Sequence, residues 1–305
     1  MRIIFLGTPD FAVASLQALH TQHWNVVAVV TAPDKPAGRG MSLQPSAVKQ
    51  YAVQQNIPVL QPEKLREEEF LETLRSYRAD IQVVVAFRML PEVVWSMPPM
   101  GTINVHASLL PNYRGAAPIH WAIMNGEIET GVTTFKLQHA IDTGNILLQR
   151  KVAIQPEDNT GTLYHRLMIE GAALLLETLH GLVQNKVVEK PQDMQPIAHH
   201  APKITKELCK IDWNQTTASL HNKVRGLSPT PGAYTFLPDG RLLKILQSKM
   251  EIDSVTCSSG TIETDHRSFV RFATTDGWLY ALEVQVEGKK RMPVAEFLKG
   301  NTIPT

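Results

Sequence analysis

Apolar residues fall in short, nearly unbroken runs through the first half of the chain, at residues 3–6, 26–30, 81–86 and 103–105. Runs without polar alternation belong to strands buried on both faces, which means a mostly parallel sheet covered by helices. The stretches between them carry helical spacing, at 11–19, then at 45–54 and 67–74. Residues 132–137 and 146–153 predict a later pair of strands, joined by a turn that holds Asp142. At Thr160 a long helical pattern begins, with Leu163, Leu167, Ala172, Leu175 and Leu179 on its inner face.

The texture changes after Val187. Pro191, Pro196 and Pro202 recur in a polar stretch, the mark of a linker or of chain running over a surface. Beyond Ile204 the pattern predicts a short helix at 217–225 and then strands at 242–246, 261–264, 269–273 and 279–286. Turns at Gly240, Gly260 and Gly277 separate them, a spacing that suggests a small barrel or sandwich. The expected organisation is an α/β domain over 1–188, a linker over 189–203 and a small β domain over 204–305.

Composition narrows the class. With 43% hydrophobic and 19% charged residues the chain has ordinary globular composition, and its 305 residues suffice for one or two cores. Cys209 and Cys257 lie far apart, so neither a disulfide framework nor a zinc site is expected, and a reducing cytoplasm fits. The first strand starts at once, leaving no room for a signal peptide, and no apolar run reaches the roughly 18 residues of a membrane span. A soluble cytoplasmic protein is expected. Net charge is +1, but residues 203–305 hold 14 Lys and Arg against 11 Asp and Glu, while residues 1–202 hold 16 against 18. That asymmetry has the sign of an RNA-contacting C-terminal module, and a solvated surface would produce it as well.

The candidate chemistry is concentrated after the strand at 103–105. Alternation sends Asn104 and His106 to one face, and a loop of Ser108, Leu109, Leu110 and Pro111 follows. An amide, an imidazole and a loop thus converge where open α/β sheets keep their ligands. Downstream stands Asp142, followed by Thr143 and Gly144. No Gly-x-Gly-x-x-Gly follows the first strand, which disfavours a dinucleotide site and with it a nicotinamide oxidoreductase.

Asn104-x-His106, then Ser108 to Pro111, then Asp142 before Thr-Gly resemble the folate-dependent formyltransferases. Further stretches at 5–12, 33–40, 113–119 and 129–133 are similar to the branch of that family that acts on charged initiator tRNA. The resemblance implies a Rossmann-like α/β domain with helices on both faces, and an OB-like barrel over 204–305. It implies 10-formyltetrahydrofolate as formyl donor, initiator methionyl-tRNA as acceptor, a monomer, and no metal. Asn104, His106 and Asp142 become the catalytic residues, and Ser108, Leu109, Leu110 and Pro111 the folate-contact loop. Formyl transfer to an amine builds an oxyanion and releases a proton. It therefore needs fixed donors, here Asn104 and His106, and a proton path, here His106 and Asp142. Two leucines and a proline make a rigid apolar wall for a flat ring, with backbone groups expected free for its polar edges.

In the polar loop at 37–40 the resemblance assigns tRNA contact to Arg39, with Lys35 beside it, and a guanidinium suits phosphate. One departure concerns Arg88, where the family usually has glycine. It is expected either to pair with the folate's glutamate tail or to reshape its loop. Two rival readings share the α/β pattern. A small-amine formyltransferase would not need residues 204–305, and an RNA-binding protein with a vestigial site would not need all three catalytic residues.

Overall fold

In the computed structural model, residues 1–37, 42–192 and 199–303 are described. The chain opens with β1 (Arg2–Gly7), α1 (Asp10–Thr21) and β2 (Asn25–Val30). An antiparallel pair, β3 (Lys35–Ala37) and β4 (Ser42–Gln44), precedes α2 (Ala47–Gln54), β5 (Val59–Leu60) and α3 (Glu68–Ser76). Next come β6 (Ile81–Val85), the short α4 (Glu92–Trp95), β7 (Thr102–His106), β8 (Arg114–Gly115) and α5 (Pro118–Met124). β9 (Glu129–Lys136), β10 (Ile146–Ala153) and the long α6 (Thr160–Val183) follow. The remainder holds β11 (His200–Ala201), α7 (Thr217–Gly226), β12 (Ala233–Phe236), β13 (Leu242–Ile252) and β14 (Ile262–Thr264). It ends with β15 (Val270–Ala273), β16 (Gly277–Val286), β17 (Met292–Pro293) and α8 (Val294–Lys299).

These elements pack as two units. One comprises Met1–Arg114, Thr130–Val152 and Tyr164–His199, the other Gly115–Glu129, Ala153–Leu163 and His200–Thr305. The first is built on a seven-stranded sheet of order β10-β9-β7-β6-β1-β2-β5. β1 pairs in parallel with β2 and β6, β6 with β7 and β2 with β5, while β9 runs antiparallel to β7. On one face Ile4, Leu6, Ala28, Val30 and Val84 pack against Phe70, Leu71 and Leu74 of α3. The other face carries α6, whose Gly171 lies so near Val105 that a Cβ would come within 3.1 Å of its Cγ1. Helices therefore cover both faces, and the unbroken apolar runs of β1 and β6 follow from that double burial. The sheet grows outward in both directions from β1, so the crevice at the carboxyl ends of β1, β6 and β7 is the topological switch point.

At the start of α1, Tyr164 donates from its hydroxyl to Asp10 Oδ1 at 2.6 Å and accepts from the Phe11 N–H at 3.0 Å. One of the orphan donors of the helix start is satisfied in this way. Burial and the Asp10 carboxylate push the Tyr164 phenol well above its ordinary range.

The second unit is an antiparallel sheet of path β12-β13-β16-β15-β14, with β17 on β16. Among the described residues its path has edges at β12 and β14. Leu220 and Val224 of α7 close its core against Leu243, Ile245, Phe272, Leu279 and Phe297. β13 runs on past the expected residue 246 to Ile252, because pairing with β16 continues where Gln247, Lys249 and Met250 are already exposed. A strand exposed in its second half loses the apolar pattern that announces it. α5 was not expected, although Pro118 at its first position is a recognisable helix opening.

His120 and His221 lie in this unit, and burial pushes both imidazoles below the ordinary histidine range. The folded state then binds fewer protons than the unfolded one. Stability is complete above the unfolded value of about 6.5 and falls as pH drops through it toward the lowered folded values. Calorimetry should find a lower Tm for this unit at pH 5 than at pH 7.5. His221→Gln should make that fall shallower.

Candidate active site

β7 places two polar side chains on one face at the end of a buried strand, because Ile103 and Val105 take the opposite face. Asn104 is half-buried, and its side-chain amide has no hydrogen-bond partner among the described residues. His106 is buried, and its Nε2 lies 2.9 Å from the Tyr113 carbonyl. A carbonyl only accepts, so Nε2 carries a proton in either charge state, and Nδ1 is the nitrogen left to exchange one. Nδ1 faces Asp142 Oδ2 at 3.9 Å, within ion-pair range but beyond a direct hydrogen bond. Phe135 stands edge-on to the imidazole, with ring centroids 6.5 Å apart, and completes its apolar wall.

The register of the sheet brings Asp142 to this point. β9 pairs with β7 so that Ile103 opposes Lys136, and the Lys136 N–H donates to the Asn145 carbonyl at 3.0 Å, closing the turn between them. Gly144 is required, since a Cβ there would lie 1.6 Å from the Lys136 carbonyl oxygen. Asp142 itself takes a φ of +53°, a conformation that aspartate and asparagine tolerate better than most residues. Its side chain is only 13% exposed.

The loop after β7 is held from beneath by Thr133 of β9. The Thr133 hydroxyl donates to the Ser108 carbonyl at 2.6 Å and accepts from the Leu110 N–H at 3.2 Å and Gln149 Nε2 at 3.0 Å. Gln149 also donates to the Leu110 carbonyl at 2.8 Å, and Ser108 Oγ donates to the Asn112 carbonyl at 2.7 Å. The expectation of free backbone groups is therefore corrected at Ser108 and Leu110, which are buried and bonded within the protein. Leu109 and Pro111 are the half-exposed members, Pro111 after a cis peptide bond. Leu109 packs where a Cβ on Gly131 would meet its Cδ2 at 2.5 Å. Thr133 escaped the sequence reading because a threonine in a strand signals only β-propensity.

Arg88 takes part in shaping its loop. Its guanidinium donates to the Glu63 and Pro62 carbonyls at 2.8 and 2.5 Å, tying the loop after β6 to the segment after β5. Lys35 is exposed on β3, opposite Gln44. Arg39 lies outside the described residues. Two further residues at the site were not anticipated. Arg114 is buried and donates from Nε and Nη2 to Gln192 Oε1, at 3.1 and 2.5 Å. Burial pushes its guanidinium below the ordinary arginine range, and the Asp142 charge opposes that shift.

An uncommitted amide donor beside an imidazole–carboxylate pair is equipped to stabilise an oxyanion and to take a proton from an amine. That is the equipment of an acyl-transfer enzyme. The comparisons with known proteins agree. Residues 1–179 match the formyl transferase family model, and residues 203–302 match the model of the formyl transferase C-terminal domain. The chain belongs to the formyltransferase family. It is 53% identical over 313 residues to the methionyl-tRNA formyltransferase of Parabacteroides distasonis, covering 98% of this chain and 95% of that one. To the methionyl-tRNA formyltransferase of Bacteroides fragilis it is 50% identical over 307 residues, with the same coverage. Among solved structures, the sugar 3N-formyl transferase WlaRD, in the presence of dTDP and 5-N-formyl-THF, superposes with a TM-score of 0.68 at 20% identity. That match covers 95% of this chain and 99% of WlaRD. HypX from Aquifex aeolicus in complex with tetrahydrofolic acid gives 0.66 at 21% identity, covering 98% of this chain and 48% of HypX. At these identities the two structures speak for the fold. No helix among the described residues is long and apolar enough to cross a membrane.

Proposed function

We propose that the site transfers the formyl group of 10-formyltetrahydrofolate to the α-amine of methionyl-tRNA of the initiator type, in support of translation initiation. The observation that carries this reading is the Asn104 amide, unbonded among the described residues, next to the His106–Asp142 pair at the carboxyl end of β7. The donor set fits a formyl group, which needs a hydrogen bond at its oxygen and no metal.

Asn104 donates to the formyl oxygen as the attacking amine converts it to an oxyanion. His106, held by the Tyr113 carbonyl through Nε2, presents Nδ1 to the reacting centre, and Asp142 stabilises the imidazolium formed when Nδ1 takes the amine proton. As the carbon–nitrogen bond to the folate breaks, the same proton is available to the departing nitrogen. Leu109 and Pro111 supply an apolar edge for the pterin ring, while Ser108 and Leu110 hold the loop in place. Residues 204–305 form the tRNA-contacting module, and Lys35 and Arg39 contact the tRNA. The enzyme acts as a cytoplasmic monomer.

The test is formyl transfer to charged initiator tRNA against charged elongator tRNA, with 10-formyltetrahydrofolate as donor. Strong preference for the initiator is expected. Lys35→Ala and Arg39→Ala should raise the KM for tRNA and leave the KM for folate unchanged. Equal use of the two tRNAs, or transfer only to a small amine such as an amino sugar, would overturn the reading.

A further inference from the structure

Segment 189–192 was expected to be linker, yet it runs along the base of the Asp142 turn. Lys190 pairs with Ile146 through bonds of 2.8 and 2.9 Å. Glu189 pairs with Lys136 at 2.5 Å and accepts from Asn145 Nδ2 at 3.1 Å, and both partners pull its carboxyl below the ordinary range. The segment then buries Gln192, which is 6% exposed.

Every polar group of the Gln192 amide is in use. Nε2 donates to the Asp142 carbonyl at 2.9 Å and to the Gly144 carbonyl at 2.8 Å, while Oε1 accepts from the Arg114 guanidinium. Only one orientation of the amide serves both sides, because a guanidinium cannot accept and a carbonyl cannot donate. Gln192 is also the sole hydrogen-bond partner of the Arg114 side chain among the described residues. Without it, two turn carbonyls and a buried cation would lose partners together.

The geometry points to Gln192 as a positioning residue for catalysis: its amide fixes the Asp142 turn against Arg114 and so sets where the carboxylate meets His106 Nδ1. The inference rests on Asp142 serving the proton path, as proposed above. Asp142 has a positive φ, and the Gln192 amide bonds the carbonyls on both sides of Thr143, at Asp142 and at Gly144. Release of those bonds lets the turn relax while Asn104, His106 and the loop after β7, which are held elsewhere, stay in place.

Gln192→Ala should lower kcat roughly tenfold to a hundredfold, the usual cost of misplacing a reacting group by about an ångström, with each KM changed less than about threefold. Gln192→Glu separates the two tasks of the amide. A carboxylate keeps the acceptor for Arg114 but sets oxygen against the two carbonyls, so its kcat should fall as far as that of Gln192→Ala. In an Asp142→Asn background, Gln192→Ala should cost less than about twofold more, because residues that act through one another are not additive. Wild-type kcat in Gln192→Glu, or a full Gln192→Ala penalty persisting in Asp142→Asn, would overturn the positioning role while leaving the function intact. Near-normal turnover of Asp142→Asn alone would instead refute the proton-path reading on which it rests.

Discussion

Asn104→Ala is expected to lower kcat by about a hundredfold to a thousandfold, the loss that follows removal of one oxyanion donor. The effect should fall on kcat and not on either KM, since the donor's bond strengthens only as charge appears on the formyl oxygen. The structure makes this a clean experiment. The Asn104 side chain is half-buried and bonds to nothing among the described residues, so its removal orphans no partner and should leave the unfolding temperature close to wild type. Asn104→Asp should be at least as damaging despite near-identical shape, because a carboxylate repels the oxyanion that an amide stabilises. Steady-state kinetics with saturating folate and charged tRNA decide the matter. Turnover within a few-fold of wild type in Asn104→Ala would remove Asn104 from the oxyanion site.

The contrast between Asn104 and Gln192 shows what sequence alone can and cannot convey. Asn104 and His106 were legible because they interrupt a buried strand at its end, and the period-two rule fixes their common face. The strands at 81–85 and 2–7 were legible for the same reason, being apolar throughout where helices cover both faces. Asp142 was only half legible. Its triplet reads as an ordinary turn, and its meeting with His106 depends on a register, Ile103 opposite Lys136, that no local pattern specifies. The family resemblance supplied that pairing. Gln192 was not legible, because it belongs to no periodic element and works through a single amide in a proline-bearing polar stretch. Arg88 carried a real signal with an ambiguous meaning, since a guanidinium serves a ligand carboxylate and a backbone carbonyl equally well.

Asp142→Asn should lower kcat by about a hundredfold to ten-thousandfold, the range spanned by general acid–base groups, while the fold survives. Survival is expected because the turn is held through backbone atoms. Gln192 bonds the carbonyls of residues 142 and 144, Gly144 fits against Lys136, and Lys136 bonds the Asn145 carbonyl. None of these contacts involves the carboxylate. Asparagine also tolerates the +53° φ that Asp142 adopts. The substitution removes the negative charge 3.9 Å from Nδ1, which stabilises an imidazolium in a buried site and also acts on the buried Arg114 guanidinium. His106→Ala should be comparably slow, and the double variant His106→Ala with Asp142→Asn should be little slower than either alone, because the two residues move one proton as a unit. Comparing kcat across the three variants, with Tm measured on each, separates chemistry from folding. If Asp142→Asn lost several degrees of Tm but kept its turnover, Asp142 would be a turn residue and the proton would have to leave by another route.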